Sequence, residues 1–366
     1  MKLMTVKIYE IMHLDKKTAQ IDTSGRCRIF EASFLPYNLY LDDEDTDIDT
    51  YVNNVTNFYY WCASRVLTLD RQYAKEILNS IGMRQAVTDR ERAQIALSYR
   101  CMSITDVFWV REKGENVSFS DVNLYDNHLN NAFIDIALRG RQYTVNNEYL
   151  ARDLATSGCF PKAWRRTEQG FDLLKDGGRQ AVARELLASR ICRCFDVEQV
   201  LYEAGEFEGE SVTISRNMTS KEYSIASMES FELYCVNHDR DARESVLALD
   251  SYGYHMMNIV DYLVGNTDRH WGNWGVLVDN ADNQPMSLHP LMDFNQSFLA
   301  YELPEGANCQ TAFGRMITQR EAATEAVRVV GLNQMEEVRQ DFFDELPQYY
   351  EMFCRRLEIL KTIGRA

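Results

Sequence analysis

Asp268, Asn273 and Asp293 are the residues of this chain best suited to do chemistry. The first two lie five positions apart in Gly265-Asn266-Thr267-Asp268-Arg269-His270-Trp271-Gly272-Asn273-Trp274-Gly275. Asp293 follows in Leu291-Met292-Asp293-Phe294-Asn295, beyond a segment that reads as a short hairpin. Transfer of a phosphoryl group needs this set. One carboxylate accepts or orients the proton of the attacking hydroxyl, while an amide oxygen and a second carboxylate hold Mg²⁺ against the phosphates. The five-residue gap lets Asp268 and Asn273 point into one cavity from a single loop, and a hairpin can bring Asp293 alongside. In this reading Asp268 and Asn273 are the catalytic residues, and Asn273 and Asp293 the metal ligands.

The nucleotide needs cations and a cover, and the candidates lie upstream. Lys175 ends the apolar strand Phe171-Asp172-Leu173-Leu174-Lys175, and Glu185 follows ten residues later, one turn into a predicted helix. Read alone, Lys175 is also a solvated lysine at a strand end. With an acidic partner on the next helix and the acid loop downstream, it reads as the lysine on the α/β-phosphates, held by a Lys–Glu pair. Thr156-Ser157-Gly158-Cys159-Phe160-Pro161-Lys162 stands where a phosphate-covering loop belongs, so Ser157, Gly158 and Lys162 join the candidate ATP contacts. It holds one glycine, and neither Gly-x-Gly-x-x-Gly nor Gly-x-x-x-x-Gly-Lys-Ser/Thr occurs anywhere in the chain. Arg216-Asn217-Met218 is the expected hinge, which adds Arg216 and Met218. A lone histidine such as His270 is more often structural than catalytic. Arg269 could steady Asp268 or another carboxylate, and the sequence does not decide between them. Trp271 and Trp274 read as packing residues.

Composition removes several classes of function. The 366 residues are 45% hydrophobic and 26% charged, as in ordinary globular chains, and suffice for about two domains. The net charge of −16 opposes non-specific nucleic-acid binding and docking on anionic lipid. No direct nucleic-acid partner and no membrane partner are expected. No apolar run is long enough to span a bilayer, and the start lacks the apolar core of a signal peptide, so the expected location is cytoplasmic. The nine cysteines are scattered without a Cys-x-x-Cys pair and read as reduced thiols. Asp45-x-Asp47-x-Asp49 resembles the start of a calcium loop, but Thr50 replaces its glycine and Thr56 its bidentate glutamate. A solvated acidic loop is the better reading.

Periodicity places these residues. Residues 1–40 alternate apolar and polar as a hairpin or meander, and Ile48 to about Ile81 turns helical. Asp89–Ser98 reads as a helix capped by Thr88. Ser103–Val110 is a turn into a strand, and Phe160–Leu174 a hairpin around Glu168-Gln169-Gly170. Gln180–Phe195 is helical. Strands at Val200–Tyr202 and Glu210–Ile214 are separated by Gly205 and Gly209. Asp239–Val264 is a long helix, Val276–Leu288 a hairpin, and helices run from Gln319 onward.

Here a family resemblance emerges. Asn266-x-Asp268-x-His270-x-x-Asn273 followed by Pro290-Leu291-Met292-Asp293 resembles the HipA-like kinase family. Ser157-Gly158-x-x-x-Lys162-Ala163-Trp164, Leu174-Lys175, Glu185-x-x-Ala188-Ser189 and Tyr202-Glu203 agree with it in order and spacing. Ser103-x-x-Asp106-x-x-Trp109 through Asn127 is similar to the segment before the kinase core in a stand-alone bacterial branch. The resemblance covers about residues 100–300. It implies an α+β, bilobal protein-kinase-like fold with a small β-rich lobe, a larger helical lobe and an N-terminal α/β extension. The expected boundaries are 1–140 for the extension, 141–217 for the small lobe and 218–366 for the helical lobe. It implies Mg²⁺ and ATP as cofactors and transfer of the γ-phosphate to Ser/Thr hydroxyls of a protein substrate. Separately from the resemblance, Thr156, Ser157 and Thr167 flank the expected phosphate loop within reach of the γ-phosphate, so self-phosphorylation there is a further expectation. Asp-Phe-Asn stands where ordinary protein kinases have Asp-Phe-Gly. Asp268-Arg269-His270 with Asn273 also resembles lipid kinases of the phosphatidylinositol type, so a lipid or small-molecule kinase is the alternative. A non-catalytic nucleotide-binding pseudokinase is the reading from a different class.

Overall fold

The computed structural model describes residues 6–66, 88–126, 161–168 and 170–363. These fall into two compact units. One comprises the described residues up to 175 together with 219–224 and 279–284, and the other comprises 176–218, 225–278 and 285 onward.

In the first unit, β1 (Ile8–His13), β2 (Lys16–Asp22), β3 (Cys27–Ile29) and β4 (Phe108–Glu112) make an antiparallel sheet in the order β3-β2-β1-β4. Ile11, Ala19 and Ile21 of the sheet and Phe58, Trp61 and Cys62 of helix α1 (Ile48–Ser64) form its dry core, each at most 1% exposed. Asp47 starts α1 by accepting from the Thr50 amide at 2.7 Å. Asp42 and Asp43 accept from the backbone amides of Glu44, Asp45 and Ile29, so the acidic loop ties down chain and caps a helix. The expected helical run extends past Ser64 into residues outside those described. Helix α2 (Asp89–Ser98) begins at Thr88 with a reciprocal capping box to Glu91, as its residues predict. The hairpin β5 (Lys162–Thr167) and β6 (Gly170–Lys175) turns at Gly170, whose φ of 125° suits glycine.

The second unit is mainly helical. It holds the hairpin β7 (Tyr202–Phe207) and β8 (Glu210–Arg216) with helix α3 (Arg179–Cys192). Gly205 lies inside β7 rather than between strands, paired with Val212 of β8, and a Cβ there would come within 2.4 Å of Ile214 Cδ1. A strand β9 (Tyr223–Ser227) and a helix α4 (Met228–Asn237) follow where no element was expected. Neither segment carries a clear apolar period, and β9 is fixed by pairing with β10 (Gly275–Asp279), which pairs in turn with β11 (Gln284–Leu288).

The long helix α5 (Ala242–Val264) is broken at Asp250, where φ is −153° and ψ 72°. The Asp250 carboxylate accepts from the Gly253 amide at 2.7 Å and the Leu288 amide at 3.1 Å, so it recaps the helix from inside. Beyond that break, Met256 to Val264 is buried on every side, as a central helix must be. Helices α6 (Gln319–Val330) and α7 (Tyr350–Ile363) complete the unit. No described helix is long and apolar enough to cross a membrane, and every described cysteine is a free thiol.

Candidate active site

The end of α5 is the foundation of the loop that carries Asp268 and Asn273. Gly265 closes the helix in the left-handed conformation, φ 61°. A Cβ there would lie 2.6 Å from Tyr301 and 2.9 Å from the Arg356 guanidinium. Arg356 comes from α7 and is completely buried. It donates to the carbonyls of Tyr262 at 2.7 Å and Leu303 at 2.9 Å and lies 4.1 Å over the Tyr301 ring. A cation on the last carbonyls of a helix complements its dipole. Burial pulls the Arg356 pKa below its ordinary value.

Arg269 is the hub of the loop. It is 2% exposed, and its Nε and Nη2 donate to the two oxygens of Asp261 at 2.9 and 3.1 Å. Its Nη1 donates to the carbonyl of Asn273 at 2.8 Å and also to that of Met292. The guanidinium lies 5.2 Å from the Phe294 ring centre. Burial opposes the charge, but the Asp261 carboxylate, its hydrogen bonds and Asp293 outweigh it and leave the Arg269 pKa raised. Asn266 runs alongside: its amide donates to Asp261 at 3.2 Å and to the Asp293 carbonyl at 3.4 Å, and its Oδ1 accepts from the Asp268 amide at 3.1 Å. Gln319 of α6 donates to the Asn266 carbonyl.

This buried lattice holds the backbone at the three candidate residues. Asn273 Nδ2 donates to the Asp268 carbonyl at 2.8 Å and to its Oδ2 at 3.4 Å, so the two are joined directly. The Asp268 carboxyl is 40% exposed, and His270 Nε2 stands 3.9 Å from it. His270 Nδ1 meanwhile accepts from the Gly272 amide at 3.0 Å, which orients the ring locally. Asp293 has a left-handed backbone, φ 59°, and its amide donates to the Tyr202 hydroxyl at 2.9 Å. Tyr202 meets Phe294 edge to face at 6.4 Å. Trp274 is buried beside Tyr254 and Phe313, and Trp271 packs on Phe313, so both tryptophans are packing residues.

The other sequence-predicted residues are placed as follows. Glu185 on α3 is 1% exposed and accepts from the Thr213 hydroxyl of β8 at 2.7 Å. In the first unit, Lys175 is 5% exposed and stands directly across the hairpin from half-buried Lys162. Arg216 is the exposed last residue of β8, and Met218 is half-buried just after it. Thr156, Ser157 and Gly158 lie outside the described residues.

Sequence reasoning named neither Asp261 nor Tyr202 as part of the site. Asp261 had a signal: it is a lone carboxylate in the apolar run Ile259-Val260-Asp261-Tyr262-Leu263-Val264. Tyr202 was marked only by the family resemblance, which gave it no role, and its hydrogen bond to Asp293 spans 91 residues.

The donor set suits Mg²⁺ held together with phosphates. Among the described residues no group of three or more His, Cys, Asp or Glu is arranged to hold a metal by itself. One carboxylate, one amide oxygen and the oxygens of a nucleotide match how Mg²⁺ is usually bound. Asn273 commits its NH₂ to Asp268, which turns its Oδ1 the other way.

No family model and no curated protein matches the chain. Solved structures do. HipA, in the complex of the Shewanella oneidensis MR-1 toxin–antitoxin system HipA and HipB with its operator DNA, aligns over 98% of this chain and 99% of its own at TM-score 0.55 and 12% identity. The Helicobacter pylori proinflammatory kinase CtkA aligns over 57% of this chain and 89% of its own at TM-score 0.42 and 14% identity. The chain shares the fold of HipA, which combines small sheets with helices.

Proposed function

We propose that this protein is an ATP- and Mg²⁺-dependent kinase that transfers the γ-phosphate to Ser/Thr hydroxyls of a protein substrate. The observation that carries the reading is the joining of Asp268 to Asn273 at 2.8 Å on a buried scaffold that also fixes the backbone at Asp293. The HipA-like fold supports it.

Asp268, solvent-accessible and steadied by Asn273, would orient the acceptor hydroxyl and take its proton. Asn273 Oδ1 and the Asp293 carboxylate would hold Mg²⁺. When bound, that ion bridges the β- and γ-phosphates and offsets the charge that develops during transfer. From the sequence reading, Lys175 and Lys162, which face each other across the β5–β6 hairpin, are assigned to the phosphates, and Glu185 to the nucleotide site. Ser157 and Gly158 are assigned to the phosphate cover, and Arg216 and Met218 to the nucleotide contacts after β8. The acceptor is proposed to be protein rather than lipid because a chain of net charge −16 is repelled by anionic membrane surfaces.

Incubation of the purified protein with labelled ATP and Mg²⁺, followed by mass spectrometry, tests this. Phosphoserine or phosphothreonine that appears with wild type and not with Asp268→Ala supports the reading. A parallel melt should show ATP stabilising the protein only with Mg²⁺, by about 2.7 kcal/mol near 100 times Kd. No Mg²⁺-dependent shift sinks it.

A further inference from the structure

Arg269 ties together two places that the chemistry must keep in register. Its Nη1 reaches the carbonyl of Asn273 and the carbonyl of Met292, the residue before Asp293. Its Nε and Nη2 are both committed to Asp261, which is anchored in the last turns of the buried helix α5. One planar group thus links one metal-ligand candidate and the residue beside the other to a rigid reference. Asn266 repeats the link from the other side, holding the Asp293 carbonyl and the Asp268 amide.

We infer that Arg269 is a positioning residue: it sets the spacing between Asn273 and Asp293 and thereby the geometry of the divalent-cation site. The inference rests on the phosphoryl-transfer reading. The residue type fits the task. A guanidinium offers five donors in a fixed fork and so serves a carboxylate and two carbonyls in one plane. A lysine has one ammonium and three donors with no fixed plane, so it can keep the ion pair with Asp261 but not the rest. The cation reports the error. Mg²⁺ demands near-ideal octahedral coordination, whereas Ca²⁺ accepts irregular sites. A spacing error therefore harms Mg²⁺ binding selectively. General loosening of the fold harms both ions alike.

The experiment uses the full chain as wild type, Arg269→Lys and Asp261→Glu. Titration calorimetry with a non-hydrolysable ATP analogue is run without metal, with Mg²⁺ and with Ca²⁺. Arg269→Lys should leave metal-free affinity within about twofold and cut the gain from Mg²⁺ by about tenfold or more, the usual effect of losing a group that orients a ligand. The gain from Ca²⁺ should change by less than about threefold, because its coordination is flexible. Asp261→Glu keeps the ion pair and moves the fork, so it should show the same selectivity even if the lysine variant fails to fold. Equal loss for both ions, or an undiminished Mg²⁺ gain, overturns the inference while leaving the kinase reading intact. A wild type with no metal-dependent gain overturns that reading, and the inference with it.

Discussion

His13 makes the first unit acid-labile by an amount that can be worked out. Its ring is 1% exposed and sits edge-on to Phe34 and Phe108, with centres 5.2 and 5.0 Å apart. Its Nε2 has no hydrogen-bond partner among the described residues. Burial lowers its pKa from 6.5 to about 4, and Lys16 adds to that while Asp106 opposes it. Above about pH 6.5 folded and unfolded chains both carry a neutral ring, and the contribution to stability is complete. As the pH falls the unfolded chain takes up a proton that the folded chain refuses, so stability is lost from about pH 6.5 down to about pH 4. At about 1.4 kcal/mol per unit, the loss between about pH 7 and pH 5 is about 2 kcal/mol. His13→Leu fits the apolar cage and has no proton to refuse. It also removes a buried nitrogen without a partner, so it should be neutral or stabilising near neutral pH. Urea unfolding of wild type and His13→Leu at both pH values, followed by fluorescence of the buried Trp61 and Trp109 beside other signals, measures the difference. Wild type should lose about 2 kcal/mol more than the variant over that interval. His289, also lowered to about 4 by burial, remains in both proteins and cancels. Equal losses in the two proteins would refute the argument that the folded ring stays neutral.

Gly265→Ala should cost about 1–2 kcal/mol for the left-handed backbone, with about 1–3 more for overpacking on Tyr301 and Arg356; a melt within a degree of wild type would contradict the contact distances. Tyr202→Phe removes the acceptor of the Asp293 amide and should lower stability by about 0.5–1.5 kcal/mol while weakening Mg²⁺-dependent nucleotide binding; unchanged calorimetry would show that the hydrogen bond does not set Asp293. Asp268→Asn should reduce turnover by about 10²–10⁴ with nucleotide affinity retained, whereas Asp293→Asn should weaken Mg²⁺·ATP binding itself. Identical kinetic profiles for the two variants would break the division of roles between them.

Local chemistry was legible where the signal lay within a few residues. Thr88 announced the start of α2, Gly170 announced the β5–β6 turn, and the apolar period announced the second half of α5. Asp268 and Asn273 fell in one loop by spacing alone. The arrangement behind that loop was not legible. Arg269 had two carboxylates to choose from, and burial of Asp261 in α5 decided it. Asp250 looked like one more residue of a continuous helix, because the Leu288 amide that helps to fix it lies 38 residues away. β9 is a strand because β10 lies beside it, a fact its five residues do not carry.

The Arg356 clamp also sets a timetable for biosynthesis. The carbonyl of Tyr262 waits 94 residues for its guanidinium. At about 5–20 residues per second, that interval lasts about 5–20 s. Throughout it, the helix end that seats the loop of Asp268 has carbonyls without their cation. A nascent chain can therefore possess every residue of the candidate site and still lack the site. The hydrogen bonds that finish the helix end beneath that loop form only after α7 has emerged and docked.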